Sequence, residues 1–303
     1  MAKNIDWLRL CVEIMATGVQ YLWGYLDIMK KFESLSPHAA EVLEYACSDN
    51  GVKLSHYDEL VSLCNSLGHG FRYSGMYITS LECYKKALSL QDNVLSPMHS
   101  HRAILYYNIA WLYDKLLEYD TALEWYSKDL IISEAVHGRN GIQTAHTYNS
   151  IGTVYEKKQE YGKAMDYYKR ALYIFRTKLG ENDSSVSAVC NNIANIYAKK
   201  QLYEQALIWH HKDINICEKS LGENHPDTAT SYSNIGMTYY EMGDFQNALD
   251  WYKKAIFIRH EMLGKNHPDL EVTIRSAFMA YSEFDNLLIP FDVWLSNTIQ
   301  GVD

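Results

Sequence analysis

Two adjoining rows of side chains, each spaced 42 residues apart along the 303-residue chain, are unusually rich in asparagine. One row reads Asn108, Ser150, Asn192 and Asn234; the other, one residue earlier, reads Tyr107, Asn149, Asn191 and Ser233. A carboxamide both donates and accepts hydrogen bonds, which is what gripping a peptide backbone of any sequence requires. Asparagine also competes for its own backbone and ranks low in helix propensity, so five of eight helical positions carrying it need a reason. Two reasons stay open: contact with a bound polypeptide, or bonds between neighbouring helices.

Other groups with chemical potential lack the spacing that catalysis needs. The chain has no GxGxxG, no phosphate loop ending in GKS or GKT, no HExxH and no GxSxG, so the expectation is a protein that is not an enzyme and holds no cofactor or metal. His99 and His101, and His210 and His211, miss the i, i+4 spacing that aims two imidazoles at one metal. His210 falls in register with Tyr126, Tyr168 and Tyr252 and reads as a core ring, while Cys190, in register with Tyr148 and Tyr232, reads as a small buried hydrophobe. Neither Cys190 nor His146 has a visible activating partner. Asp129 and Asp213 replace a small residue that is Ala87, Ala171 and Ala255 in the alternate copies. A carboxylate buried there requires hydrogen bonds from the next helix or a nearby tyrosine.

Composition narrows the partners. Net charge is −9, without the cationic excess that phosphate neutralisation demands, so nucleic acid is not expected. The six cysteines form no CxxC pair and read as reduced thiols of a cytoplasmic protein. The uncharged run between Glu13 and Asp27 is 13 residues, short of the roughly 20 needed to cross a bilayer, and no basic start with a cleavage site precedes it. No membrane association and no secretion are therefore expected.

The elements that position these side chains follow from the period itself. Ile109, Ile151, Ile193 and Ile235 recur with Tyr113, Tyr155, Tyr197 and Tyr239, and with Ala122, Ala164, Ala206 and Ala248, all at 42-residue steps. A fixed period of this size marks a stacked-repeat architecture, here read as one elongated domain. From Tyr161 to Leu179 the apolar residues follow the i, i+3, i+4, i+7 rule of one helical stripe, and Gly180 supplies a left-handed stop. Leu221-Gly222 and Leu263-Gly264 repeat that stop, and His225-Pro226 and His267-Pro268 open the following helices. Each copy is thus a hairpin of a first helix A and a second helix B, with the alanines at 122, 164, 206 and 248 holding the pair close.

These residues resemble the tetratricopeptide repeat, in the 42-residue version of kinesin light chains: Ile151, Gly152, Tyr155, Ala164, Tyr168 and Ala171 carry the repeat signature, and Leu221 to Pro226 the longer linker. The resemblance implies an all-α fold, a right-handed α-α superhelix of about five to six hairpins with atypical capping helices at both ends. Residues 1–53 are read as amino-terminal caps, 54–267 as five repeats, and 268–303 as a degenerate sixth repeat with a carboxy-terminal cap around Trp294. It further implies that helix A lines a groove holding an extended peptide or partner segment. Mapped here, that groove takes Tyr107, Asn108, Trp111 and Lys115; His146, Asn149, Thr153 and Lys157; Asn191, Asn192, Asn195 and Lys199; and Asn234 and Met237. Ile104, Ala188 and Thr230 join His146 on its flank, while Tyr107, Asn149, Asn191 and Asn192 stand where chaperone-type members place a cationic clamp, so no such clamp is expected. The lysine ladder complements helix dipoles; facing inward it would favour an acidic ligand up to Glu241, which breaks it. The implied function is a protein-binding adaptor or scaffold, with a regulatory subunit controlling an associated enzyme as the alternative.

Overall fold

The computed structural model describes residues 57–92, 99–284 and 289–301, which form helices and turns without a strand. The expected amino-terminal caps, 1–53, and the start of the carboxy-terminal cap, 285–288, lie outside the described residues. Helices of type A are α1 (Tyr57–Tyr73), α3 (Ser100–Lys115), α5 (Ile142–Lys157), α7 (Ser184–Lys199), α9 (Pro226–Met242) and α11 (Pro268–Ser282). Those of type B are α2 (Tyr77–Asp92), α4 (Tyr119–His137), α6 (Tyr161–Leu179), α8 (Tyr203–Leu221) and α10 (Phe245–Leu263), and α12 (Phe291–Gln300) follows. The chain forms two compact units, divided between Val154 and Tyr155.

Helix boundaries repeat with the sequence. The A helices α3, α7, α9 and α11 start on caps in one register: Nδ1 of His99, His225 and His267, and Oδ1 of Asp183, each accept from the amide two residues on. The histidine pair at 99 and 101 is thereby explained, His99 serving as a helix cap. B helices end at Gly138, Gly180, Gly222 and Gly264, with φ of 78°, 94°, 92° and 84°. Their ψ values, 159° to 168°, are extended and not those of the expected left-handed stop. The backbone must straighten at once to reach the next cap three residues later, and only glycine enters that region without strain.

The left-handed residue sits instead in the turn inside each hairpin. Gly75 and Gly243 occupy it at φ 74° and 85°, but Leu117, Gln159 and Gln201 hold φ of 65°, 61° and 59°. Leu117 is also 70% exposed, so little packing offsets the clash of its Cβ with the carbonyl. Leu117→Gly is expected to raise stability by about 0.5–1 kcal/mol after the entropy of the freer unfolded chain is counted. Scanning calorimetry checks this, and a lowered melting temperature would contradict it.

In the first unit, α1 to α3 close around Leu67, Phe71, Tyr84, Ala87, Leu105, Ile109 and Leu112. Gly68 is required there, since a Cβ would lie 2.8 Å from the Tyr84 ring. In the second unit Ala164, Ala206 and Ala248 are fully buried, as are Tyr168, His210 and Tyr252 in the ring position. The interface from α6 to α7 is apolar, with Ala171, Phe175, Val186 and Val189 buried. One repeat on, from α8 to α9, the equivalent positions carry Asp213, Cys217, Thr228 and Ser231. Helix α12 packs Phe291, Trp294, Leu295 and Ile299 against Leu270, Ala277 and Ala280.

Candidate functional site

Each A helix leaves one stripe uncovered at i, i+4, i+7 and i+11, positions that share a face. In the first unit the stripe is Ile104, Asn108, Trp111 and Lys115 on α3, and His146, Ser150 and Thr153 on α5. In the second it is Lys157 at the end of α5, then Ala188, Asn192, Asn195 and Lys199 on α7, and Thr230, Asn234, Met237 and Glu241 on α9. Val272, Ser276, Met279 and Glu283 extend it through α11, beyond the residues the sequence singled out. The outer members of each stripe are exposed, as are Met237 and Met279; the other middle members are half-buried, except Asn108, which is buried.

Within each unit one pair of neighbouring A helices is tied edge to edge through the two polar rows. Tyr107 Oη lies 2.9 Å from Ser150 Oγ, joining α3 to α5, and Asn234 Nδ2 donates to Asn191 Oδ1 at 3.0 Å, joining α9 to α7. Both bonds link one row to the other a repeat away. Bonding between helices is therefore realised at Asn191 and Asn234. Each amide uses one of its two ends in that bond, and both residues stay half-exposed, so Asn234 Oδ1 and Asn191 Nδ2 keep hydrogen-bonding capacity.

The first unit adds a cleft of 430 Å³ lined by Arg72, Tyr73, Tyr107 and Trp111. The Arg72 guanidinium sits 4.8 Å from the Trp111 ring centroid and 5.3 Å from that of Tyr73, and its Nη1 donates to Asn108 Oδ1 at 3.4 Å. Lys115 Nζ lies 5.0 Å from the Trp111 ring. An aromatic wall bearing two cations suits an acidic or electron-rich side chain. Arg72 could not be found from the repeat, because the same register holds Asp114 and Glu156. In the second unit Thr230 Oγ1 accepts from Arg259 Nη2 at 2.9 Å, which fixes that flank. Burial raises the Glu156 carboxyl above its ordinary range, against a hydrogen bond from Tyr168 and the nearby charges of Lys199 and Lys157.

The buried titratable groups lie in the interfaces between repeats. Asp129 accepts from Ser133 at 2.9 Å and from Thr147, on the next A helix, at 2.6 Å; burial pushes its carboxyl up to about 6. Asp213 accepts from Ser187 and, at 3.7 Å, from Cys217, and burial raises it too. Thr147 and Ser187 donate from A helices, whereas Ser133 and Cys217 donate from the same B helix as the carboxylate they serve, and no tyrosine is among these bonds. His210 Nε2 lies 3.0 Å from Thr238 Oγ1, and burial, helped by His211, brings the imidazole down to about 4. Cys64, Cys83, Cys190 and Cys217 are buried, and burial raises the thiol of Cys190 to about 11, the wrong direction for a nucleophile. Among the described residues no three His, Cys, Asp or Glu side chains are placed to hold a metal ion, and no helix is long and apolar enough to cross a membrane.

A family model described as tetratricopeptide repeat matches residues 58–128, 115–177 and 185–259. No curated protein matches the chain. Among solved structures, BtubC (BKLC) from P. vanneervenii is similar at 25% identity and a TM-score of 0.61, over 79% of this chain and 93% of its own. A putative kinesin light chain from Podosopora anserina, with nearly identical TPR-like repeats, aligns at 16% identity and 0.57, over 70% of this chain and 100% of its own. The Rap conjugation gene regulator of plasmid pLS20, solved in complex with the Phr* peptide, aligns at 14% identity and 0.62, over 80% of this chain and 65% of its own.

Proposed function

Because this chain belongs to the tetratricopeptide repeat family, we propose that its A-helix face binds an extended or helical segment of another protein, making it an adaptor or scaffold. The observation that carries this reading is the uncovered stripe itself: amides, an aromatic, methionine and charged ends on A helices that are bonded edge to edge. An amide row that holds its neighbours and still has one end to offer meets a backbone without reading its sequence, whereas Trp111, Thr153, Asn195 and Met237 choose among side chains. The similar fold of the plasmid pLS20 regulator accommodates a peptide in that protein. The buried histidine and aspartates take no part in this face; they set its stability.

Isothermal titration against the partner segment tests the assignment. Asn192→Ala and Asn234→Ala are each expected to weaken binding about 5- to 30-fold, the loss of one or two hydrogen bonds. Undiminished affinity in both variants would remove the A-face as the site.

A further inference from the structure

One edge of the second unit's A-face changes sign along its length. Lys157 and Lys199 end the stripes of α5 and α7, Glu241 and Glu283 end those of α9 and α11, and all four are exposed. Lysine at the carboxy-terminal end of a helix is what the macrodipole favours, so the two lysines alone carry little information. The glutamates are different: at the same helix ends the dipole opposes them. One turn inward the surface changes in step, from Asn195 on the lysine side to Met237 and Met279 on the glutamate side, with Val272 beyond; these three apolar side chains are 39%, 46% and 57% exposed.

Resting on the peptide-binding reading above, we propose that the partner segment is itself bipolar: acidic residues over α5 and α7, then an aliphatic side chain followed by basic residues over α9 and α11. Charge complementarity carries the assignment. A uniformly acidic segment meets Glu241 and Glu283, and a uniformly basic one meets Lys157 and Lys199, so each loses as much at one end as it gains at the other. Only the two-signed segment gains at both, and the sign reversal fixes which way round it lies. With adjacent helices about 10 Å apart, four charged positions span roughly 30 Å, about nine residues of extended chain.

Fluorescence anisotropy on the full chain distinguishes the outcomes, using two labelled twelve-residue peptides of one composition and a third whose six charged residues are all glutamate. The first has three glutamates, a central leucine-rich stretch and three lysines in blocks; the second carries the same residues with the charges alternating. The block peptide is expected to bind about tenfold more tightly at low salt, and Glu241→Lys with Glu283→Lys is expected to erase that preference and favour an all-glutamate peptide instead. Equal affinities for both peptides, weakened together by Asn234→Ala, would overturn the bipolar rule and leave the peptide-binding face standing. Binding of neither peptide, or binding indifferent to Asn234→Ala and to charge reversal alike, would overturn both.

Discussion

At pH 4.5 the second unit is expected to be less stable than at pH 7 by about 2–3 kcal/mol on account of one residue, and His210→Phe is expected to remove that loss. His210 is fully enclosed, and its imidazole titrates at about 4 because burial disfavours the charged ring. The unfolded chain takes up the same proton near 6.5. Between those two values the unfolded state binds more protons, so stability rises with pH: the contribution is complete above 6.5 and lost as pH falls toward 4. A six-membered ring has room here, since Tyr126 sits fully buried in a hairpin that carries Ala110 as this one carries Ala194. Thr238, deprived of the ring nitrogen, still donates to Asn234 O at 3.3 Å. Asp213 and Glu156, raised by burial, slope the opposite way in both proteins and cancel in the comparison. Urea titrations from pH 4.5 to 7.5 should show the wild-type curve falling away from that of the variant in acid; parallel curves would mean that His210 takes up its proton as readily in the folded state as in the unfolded chain.

The mirror case lies in the first unit. Asp129→Asn is expected to stabilise the protein by about 2–3 kcal/mol at pH 7 and to make no difference below pH 4. Burial raises the Asp129 carboxyl to about 6, against 3.8 when exposed, so the folded state binds the extra proton and its stability falls as pH climbs between those values. Asparagine presents the neutral shape permanently. Its oxygen can accept from Ser133, and its amide can donate to Thr147, whose hydroxyl has Gln143 O as a second acceptor at 3.2 Å. A variant destabilised at pH 7 would show instead that the ionised carboxylate and its two hydroxyls are worth more together than their desolvation costs.

The register of isoleucine, tyrosine and alanine at 42-residue steps was enough to place the four hairpins from α3–α4 to α9–α10, because one repeated packing problem has one repeated solution. Tyr168 and His210 fell in the core for the same reason. What stayed hidden was local or aperiodic. The extended ψ after Gly222 depends on where the next cap lies, and the strained Leu117 and Gln159 carry no glycine signal. Histidine caps were written in the spacing of His99, His225 and His267, but imidazole is not among the usual capping groups. At the face itself, the sequence named the stripe on α3 to α9 but missed Arg72, which has no counterpart in the other copies, and the continuation through Val272 and Met279 on α11. The link between Asn191 and Asn234 shows why asparagine rows are ambiguous: one amide can hold a neighbouring helix with one end and a ligand with the other.

Photo-crosslinking tests most directly whether the A helices carry the binding face. A benzophenone side chain replacing Met237, exposed on α9, is expected to join covalently to the partner segment, while the same group replacing Ile208, exposed on α8, gives none. Crosslinks from position 208 with none from position 237 would place the partner on the B helices and contradict the account.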